Sequence, residues 1–364
     1  MTEVLLKELT NSDIDWMIAT GHQKEIAAGT LLIQPGKAAD SLHILLEGIL
    51  TVSIPQPDIN PLTRAFSAIE GDEILDREIA ILSSGEVVGE IPFVSNRPTA
   101  TAVKAAEKSL VMSIPQQQLA EKLLQDVGFA SRFYRAIAIM LADRIQSTIT
   151  QLGHRNLAQG QPLRDVLFIL AELHDSDIDW MMAYGKSQQI PAHTILIREQ
   201  GPVDALYILL DGSMSVSVSL NERNPLARAF AAIEESEIVG RELARLSKGE
   251  VMGETAFIDG RLPSMTVKAM EDSVVLSISR QQLAAKLQQD VGFASRFYRV
   301  IAILLSQRLQ GMLTRVGYGR RVYSQGLPLA KDVEYEDELN DSVLDGVAIA
   351  GKRFDWMLAR LRVS

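Results

Sequence analysis

The 364-residue sequence repeats itself once at a constant spacing of 164 residues. The hexapeptide Ser-Asp-Ile-Asp-Trp-Met begins at Ser12 and again at Ser176. More than half of the positions in residues 6–155 are identical to those in residues 170–319, without an insertion or deletion. Solenoid repeats are only about 20–50 residues long, so each copy is long enough to be a domain of its own. The sequence therefore predicts two domains of the same fold.

Two similar stretches rich in Gly and Pro mark the ends of the copies. They are residues 157–163 and residues 323–329. Such residues typically separate structural elements. We predict domain 1 at residues 1–157, a linker at 158–167, domain 2 at 168–322, and an acidic linker with a C-terminal helix at 323–364.

The C-terminal segment starts in the same way as each copy. The pattern Glu-Leu-x-x-Ser-x-(Ile/Leu)-Asp begins at Glu8, Glu172 and Glu338, and Asp-Trp-Met recurs at Asp355. We interpret the segment as a truncated third start, which is a leading helix without its domain. It either caps the second domain, as the start of the second copy caps the first, or it docks on another chain.

The composition narrows the classes of function. Lys and Arg number 36 against 46 Asp and Glu, and the resulting net charge of −10 disfavours nucleic acid as a partner. The absence of cysteine excludes a disulfide framework and thiolate metal sites. The sequence has no N-terminal signal pattern and no apolar run of the roughly 18 residues that a membrane span needs. We therefore expect a soluble, cytoplasmic protein.

The sequence contains no constellation of catalytic or metal-binding residues. Its five histidines lack the spacing typical of metal ligands. It also lacks the Gly-x-x-x-x-Gly-Lys-(Ser/Thr) loop that binds nucleoside triphosphates. We therefore predict a protein that is not an enzyme, with no catalytic residue, no metal site and no cofactor.

Each copy contains short segments typical of strands, followed by a segment with helical periodicity. Residues 50–54 alternate between apolar and polar side chains, as a half-buried strand does. Strand-like segments recur at intervals typical of a sandwich or a barrel. In residues 119–141 the apolar positions instead follow the helical period. This order predicts a β-barrel or sandwich that ends in helices.

These patterns resemble the cyclic nucleotide-binding domain family. The resemblance rests on Asp-x-Leu-x-Ile-Leu-Leu-x-Gly from Asp40, Gly-Glu-Val-x-Gly-Glu from Gly85 and Val-Lys-Ala from Val103. Each motif recurs 164 residues later, so the resemblance covers most of both copies. It implies a mainly β fold with flanking helices, in which two tandem jelly-roll β-barrels each carry a C-terminal helical lid.

The resemblance also implies a ligand site in each copy. In the family, backbone N–H groups of a one-turn helix and an arginine bind the cyclic phosphate, and a carboxylate binds the ribose. Glu90 and Glu254 stand at the carboxylate position. The arginine position falls on Thr99 and Pro263, two residues after the nearest arginine of each copy. The candidate ligand residues are Gly89, Glu90, Arg97 and Thr99 in the first copy and Gly253, Glu254, Arg261 and Ser264 in the second.

The departure at the arginine position leaves two expectations for the ligand. Losing one charge-assisted phosphate contact lowers affinity about 10- to 150-fold. Either both pockets are degenerate, or Arg97 and Arg261 reach the phosphate from a displaced position and the protein binds cAMP or cGMP.

Two kinds of segment suggest contacts with a protein partner. Residues 60–70 match residues 224–234 at all but two positions, and each presents one basic side chain, Arg64 or Arg228, beside an apolar stripe. The lids combine aromatic and arginine side chains, which interfaces concentrate. The alternative is that the stripes cover the barrel and the aromatic side chains pack inside the domain. The candidate interface residues of the lids and the C-terminal helix are Phe129, Arg132, Tyr134, Phe293, Arg296, Tyr298, Phe354 and Trp356.

The predicted function is that of a regulatory or adaptor protein that contacts a protein partner or forms a homo-oligomer. The alternatives are a ligand-independent structural scaffold and a cAMP or cGMP sensor that uses Arg97 and Arg261. A transcription factor would need a DNA-reading element, which the sequence after the second lid does not provide. The basic, amphipathic C-terminal helix either packs on its own domain or binds a membrane surface or a partner's groove.

Overall fold

The structure, a computed structural model, describes residues 2–35, 37, 39–54, 77–94, 101–152, 165–219, 240–315 and 341–363. Its contacts form two compact units, residues 1–153 with 298–340 and residues 154–297 with 341–364. The predicted linkers lie largely outside the described residues, so their boundaries stay predictions.

In the described part of the first repeat, strands are framed by leading helices and a helical lid. In chain order the elements are α1 (Thr2–Glu8), α2 (Asn11–Thr20), β1 (His22–Ile26), β2 (Leu31–Ile33), β3 (Ser41–Glu47), β4 (Leu50–Ile54), β5 (Arg77–Leu82), β6 (Val87–Val88), α3 (Ile91–Val94), β7 (Ala102–Ala105), β8 (Ser109–Pro115), α4 (Gln116–Gln125) and α5 (Val127–Leu152). The lid consists of α4 and α5.

The described part of the second repeat has the same order, and one more helix follows it. Its elements are α6 (Asp165–Glu172), α7 (Asp175–Tyr184), β9 (Lys186–Ile190), β10 (Ile195–Ile197), β11 (Ala205–Asp211), β12 (Met214–Ser219), β13 (Gly240–Leu246), β14 (Val251–Met252), a 3₁₀ helix (Glu254–Phe257), β15 (Thr266–Ala269), β16 (Ser273–Ser279), α8 (Arg280–Gln289) and α9 (Val291–Arg315). The helix that follows is α10 (Asp341–Leu361).

In each repeat the strands form two antiparallel, four-stranded sheets. The orders are β1-β8-β3-β6 and β2-β7-β4-β5 in the first repeat, and β9-β16-β11-β14 and β10-β15-β12-β13 in the second. Apolar side chains of both sheets meet in one cluster per repeat, with Leu45 and Val103 in the first and Leu209 and Val267 in the second. The predicted fold class, two tandem jelly-roll barrels with helical lids, is confirmed.

The strand register is the same in both repeats. Leu42 pairs with Ile114 between β3 and β8, and Leu206 pairs with Ile278 between β11 and β16. A slip of one residue would move every side chain of a strand to the opposite face of the sheet. The sequence repeat is therefore also a structural repeat.

The long lid helix α5 buries one face inside its own domain. Phe129, Phe133 and Ile137 are spaced four residues apart and are fully buried, as the helical period predicts. The ring centroids of Phe129 and Phe133 lie 5.8 Å apart, and Phe133 also meets Phe93 of α3 edge-on at 6.2 Å. Among the described helices, none is both long and apolar enough to cross a membrane.

An ion pair ties the lid of each repeat to its leading helices. Arg132 on α5 donates two hydrogen bonds to Asp13 on α2, at 2.7 and 3.0 Å, and Asp13 is only 3% exposed. Arg296 and Asp177 form the same contact at the same distances. Burial by itself raises the pKa of Asp13, but the hydrogen bonds from Arg132 and Thr10 outweigh it and hold that pKa below its usual value.

The C-terminal helix α10 packs on the leading helix α6 within the second unit. Phe354 and Met357 of α10 are buried. Arg353 donates to the carbonyl oxygens of Leu170 and Leu173 near the end of α6. Carbonyl groups in the last turn of a helix lack partners within the helix, so an arginine is a suitable donor for them. Of the two expectations for this segment, the structure shows that it caps the second domain.

In each repeat, the turn between a short strand (β6 or β14) and the short helix that follows it requires glycine. Gly89 has a φ of +82°, and a Cβ there would lie 2.4 Å from the carbonyl oxygen of Ser41. Gly253 has the same φ, and its Cβ would lie 2.9 Å from the carbonyl oxygen of Ala205. Side chains of L-residues disfavour this left-handed region. The backbone geometry therefore explains the second glycine of each Gly-Glu-Val-x-Gly-Glu motif.

Replacing Arg132 by methionine is expected to lower the free energy of unfolding by about 1–2 kcal/mol, because it leaves the buried Asp13 carboxylate unpaired while the arginine itself is partly exposed. Because the folded-state pKa of Asp13 is lowered, the ion pair contributes fully to the free energy of unfolding above pH 3.8, the usual pKa of an aspartate. This contribution is lost as the pH falls through the lower folded-state pKa. Urea unfolding of wild type and variant between pH 7 and pH 3 measures both effects.

A matched control for this prediction is Lys108→Met. Lys108 pairs with Glu25 at 2.8 Å, but both side chains are exposed. Such an exposed pair contributes little to stability, because solvent and salt screen it. Equal losses from Arg132→Met and Lys108→Met at pH 7 would contradict a stabilising role of the lid ion pair.

Replacing Gly253 by alanine is expected to cost about 2–3 kcal/mol, because the left-handed backbone is strained and the new Cβ crowds a carbonyl oxygen. Gly260 provides the control, since its φ is +79° but a Cβ there meets nothing within 4 Å. Gly260→Ala should therefore cost only about 1 kcal/mol, the strain alone. Urea unfolding compares the two variants, and a smaller loss for Gly253→Ala than for Gly260→Ala would contradict the prediction.

Candidate functional site

The candidate ligand site of the first repeat lies between β6 and the one-turn helix α3. Gly89 turns the chain and Glu90 follows it directly. The backbone N–H of Phe93 donates to the carbonyl oxygen of Glu90 at 3.0 Å, which closes the turn of α3. Glu90 is only 4% exposed. The one-turn helix that the family resemblance implies is therefore present, and the carboxylate beside it is buried.

The buried carboxylate of Glu90 receives a cation from the lid. Arg144 on α5 donates from Nη1 to Oε1 of Glu90 and from Nη2 to the carbonyl oxygen of Val87 in β6. A buried carboxylate without a partner costs several kcal/mol. The planar guanidinium group can satisfy two acceptors at once. Arg144 thus joins the lid, the strand β6 and the Gly-Glu motif.

The second repeat also has a buried carboxylate at its short helix and an arginine near the family's phosphate position. Glu254 begins the 3₁₀ helix after Gly253 and is also 4% exposed. Arg261 donates to Asp259 from Nε at 2.9 Å and from Nη2 at 2.5 Å. A bidentate pair of this kind is among the stronger hydrogen-bonded contacts. The arginine nearest the family's phosphate position is therefore engaged by a neighbouring carboxylate.

A further arginine holds the short helix of the second repeat. Arg280 begins α8 and donates to the carbonyl oxygens of Val203 at 3.1 Å and Ala256 at 3.0 Å. Its guanidinium group also lies 5.6 Å from the ring centroid of Phe257, a cation–π distance. The equivalent residue of the first repeat is Gln116. The polar frames around the two candidate sites therefore differ.

Several candidate residues lie outside the described part of the chain. They are Arg64, Arg97, Thr99 and Arg228. Ser264 is half-buried and follows Pro263, which occupies the family's arginine position. The carbonyl oxygen of Pro263 accepts a hydrogen bond from the backbone N–H of Gln200 at 2.8 Å. This position therefore makes a backbone contact within the repeat.

The structure places two of the aromatic interface candidates of the lids, Phe129 and Phe293, inside their own repeats. Phe129 and Phe293 are buried. Their ring centroids lie 5.5 Å from those of Trp16 and Trp180 in the leading helices. The arginine candidates of the lids form the ion pairs with the leading helices that are described above. These positions agree between the copies because each copy makes the same internal contacts.

The remaining interface candidates differ in exposure. Tyr134 and Tyr298 are buried, and burial raises the pKa of Tyr298. Phe354 of α10 is buried as well, whereas Trp356 is 42% exposed. Trp356 and Ile178 are among the residues that line a groove of about 320 Å³ between α7 and α10.

Sequence reasoning missed Arg144, although a signal for it is present. An arginine recurs at the equivalent position, Arg308, inside the apolar stretch of each lid. A charge among apolar positions is costly unless a partner compensates it. Asp165 was also missed, because it lies in the predicted linker, where α6 in fact begins. This buried side chain accepts a hydrogen bond from the backbone N–H of Val251 at 3.2 Å.

The described residues contain no group of His, Cys, Asp and Glu arranged to hold a metal ion. The buried His43 lies in β3, and its Nδ1 is 2.8 Å from the hydroxyl of Ser113 in β8. Burial favours the neutral ring and lowers the pKa of His43. This histidine therefore links two strands.

A comparison with curated proteins found no match. Among solved structures, the regulatory domain of Toxoplasma gondii PKA with cAMP is 17% identical over 79% of this chain and 89% of its own, with a TM-score of 0.28. The regulatory subunit of a cAMP-independent protein kinase A from Trypanosoma cruzi, bound to guanosine, is 14% identical over 79% of this chain and 81% of its own, with a TM-score of 0.27. The c-di-GMP-responsive global regulator CLP of Xanthomonas campestris is 20% identical over 46% of this chain and 72% of its own, with a TM-score of 0.33.

A sequence profile provides the assignment to a family. The profile of the cyclic nucleotide-binding domain matches residues 23–126 and 187–290. The two matched ranges coincide with the barrels of the two repeats and together cover more than half of the 364 residues. The chain therefore belongs to the cyclic nucleotide-binding domain family and contains this domain twice in tandem.

Proposed function

We propose that this protein is a non-enzymatic regulatory or adaptor protein that acts through contacts with other proteins, without a cyclic nucleotide in its first repeat. The pairing of Glu90 with Arg144 carries this proposal. In a working ligand site the carboxylate accepts a hydrogen bond from the ribose. Here the lid helix already supplies the partner of that carboxylate.

A nucleotide would have to displace Arg144 in order to reach Glu90. A hydrogen bond to a charged group contributes about 1.5–3 kcal/mol, so its replacement lowers affinity about 10- to 150-fold. Thr99 in place of the phosphate-binding arginine removes a second interaction of similar size. Together these two losses weaken a micromolar site about 10²- to 10⁴-fold, to a dissociation constant between about 0.1 and 10 mM.

The second repeat supports the same proposal through a different arrangement. Arg261 is held by Asp259, so it would have to leave one carboxylate before it could bind a phosphate. Pro263, at the family's arginine position, has no side-chain donor. The two repeats therefore provide two different reasons for weak nucleotide binding.

The same ion pair favours one second candidate, a cyclic-nucleotide sensor. Arg144 belongs to the lid, so a ligand that took over Glu90 would release α5 from β6. In this candidate Arg97 and Arg261 would supply the phosphate contact from their displaced positions. A change in lid position on nucleotide binding would then be the signal to the partner.

Calorimetric titration of the full chain with cAMP and with cGMP is expected to show no saturable heat up to millimolar concentration. The variant Arg144→Met, which frees the Glu90 carboxylate, is expected to bind at least about tenfold more tightly than wild type. The matched control is Arg144→Met/Glu90→Gln, in which the freed carboxylate is also removed and the gain should disappear. Glu254→Gln removes the candidate ribose-binding carboxylate of the second repeat and tests whether that repeat binds nucleotide.

Saturable, micromolar binding by the wild-type chain that is lost in Glu90→Gln or Glu254→Gln would contradict the proposal and establish the sensor. Circular dichroism of each variant shows whether it has kept its fold. A pull-down that recovers a partner equally well with and without millimolar nucleotide is the further result that an adaptor predicts.

A further inference from the structure

The leading helices of the two repeats differ in how they are covered. Leu170 of α6 is fully buried, and α10 packs along this helix. Leu6 stands at the equivalent position of α1 and is 60% exposed. The next leading helix shows the same difference, since Ile18 of α2 is 60% exposed whereas its equivalent, Met182, is buried. Apolar side chains that the second repeat buries are therefore exposed in the first.

We use the term open face for Leu6, Ile14 and Ile18, three apolar residues that are less covered than their equivalents Leu170, Ile178 and Met182. Ile14 and Ile18 lie four residues apart on α2 and are therefore neighbours on one side of the helix. Ile14 is half-buried, whereas its equivalent, Ile178, is buried and lines the groove between α7 and α10. The open face thus corresponds to the surface of the second repeat beside which α10 lies.

The charges beside the open face argue against a second helix of the α10 type as its occupant. On the second repeat, Arg353 of α10 bonds to Asp175 at 2.6 Å. The equivalent residue of the first repeat is Asn11, which carries no charge. Lys7 and Asp15, which follow Leu6 and Ile14 in the sequence, are exposed and have opposite charges. The surroundings of this face therefore complement a copy of the face itself.

We propose that the open face is a dimer interface and that it binds the open face of a second copy of this chain. In a two-fold symmetric contact, the same patch lies on both subunits, and every contact between two different residues occurs twice. Lys7 of each chain would then meet Asp15 of the other, around a centre formed by Leu6 and Ile18. This inference goes beyond the proposed function and holds whether or not either barrel binds a nucleotide.

The chain itself contains a related contact. The Glu-Leu-x-x-Ser pattern that joins α1 to α2 and α6 to α7 recurs where α10 begins, and α10 packs on the leading helix α6. Pairing between one leading helix and a helix of related sequence therefore already occurs within this chain. The proposed dimer repeats this kind of contact between two chains.

Sedimentation equilibrium of the full chain at high micromolar concentration tests the proposal. The wild type is expected to have the mass of two chains, and Leu6→Glu/Ile18→Glu that of one, since it places four charges in the interface. Leu124→Glu is the matched control, because Leu124 is an 83% exposed leucine of α4 in the same unit and lies outside the open face. This control should keep the mass of two chains.

A charge exchange tests the interface without changing its apolar centre. Lys7→Glu or Asp15→Lys alone should raise the dissociation constant of the dimer about tenfold, because each places like charges opposite one another. Lys7→Glu/Asp15→Lys should restore it to within about threefold of wild type. Both residues are exposed, so these variants are expected to fold, and circular dichroism verifies this.

Three results would overturn the proposal. The first is a wild-type chain with the mass of one chain at every concentration. The second is a dimer that Leu6→Glu/Ile18→Glu leaves intact. The third is a dimer that is lost in Arg353→Glu and kept in the open-face variants, which would identify α10 of the second copy as the contact.

Discussion

A carboxylate buried beside the barrel requires a cation, and in the first repeat the protein supplies that cation itself. The Gly-Glu turn holds Glu90 at 4% exposure, and the lid brings Arg144 to it and to the carbonyl oxygen of Val87. The lid is held independently further along α5, where Arg132 binds Asp13. Both contacts are made by one continuous helix, so the lid is joined to the leading helix and to the candidate ligand site alike.

The duplication has preserved the framework of the domain and changed the surfaces around it. Strand register and the ion pair between lid and leading helix are the same in both repeats. The polar groups around the short helices differ, because Arg280 binds the backbone of the 3₁₀ helix in the second repeat, whereas the equivalent residue of the first repeat is Gln116. The cover of the leading helices differs as well, since α10 packs on α6 of the second repeat. Such differences allow two domains of the same fold to have different functions.

Much of the fold was predictable because it depends on local patterns that occur twice. Alternating strands and Gly-Glu turns gave the barrels, whereas the pairing of Arg144 with Glu90 joins residues 54 positions apart and depends on how a helix packs. Similarity between the copies also arises from packing inside each domain. Phe129 and Phe293 are identical in the two copies because both pack inside their domains. Leu6 instead indicates an interface, because it is exposed whereas its equivalent, Leu170, is buried.

The central claim is that the lid of the first repeat closes its own candidate ligand site. It is tested most directly by a crystal structure of the full chain from crystals grown with millimolar cAMP. The prediction is that Arg144 remains bonded to Glu90 and Val87 and that no nucleotide lies beside α3. A nucleotide whose ribose binds Glu90, with Arg144 moved away and the C-terminal half of α5 displaced, would contradict this account and establish the protein as a cyclic-nucleotide sensor.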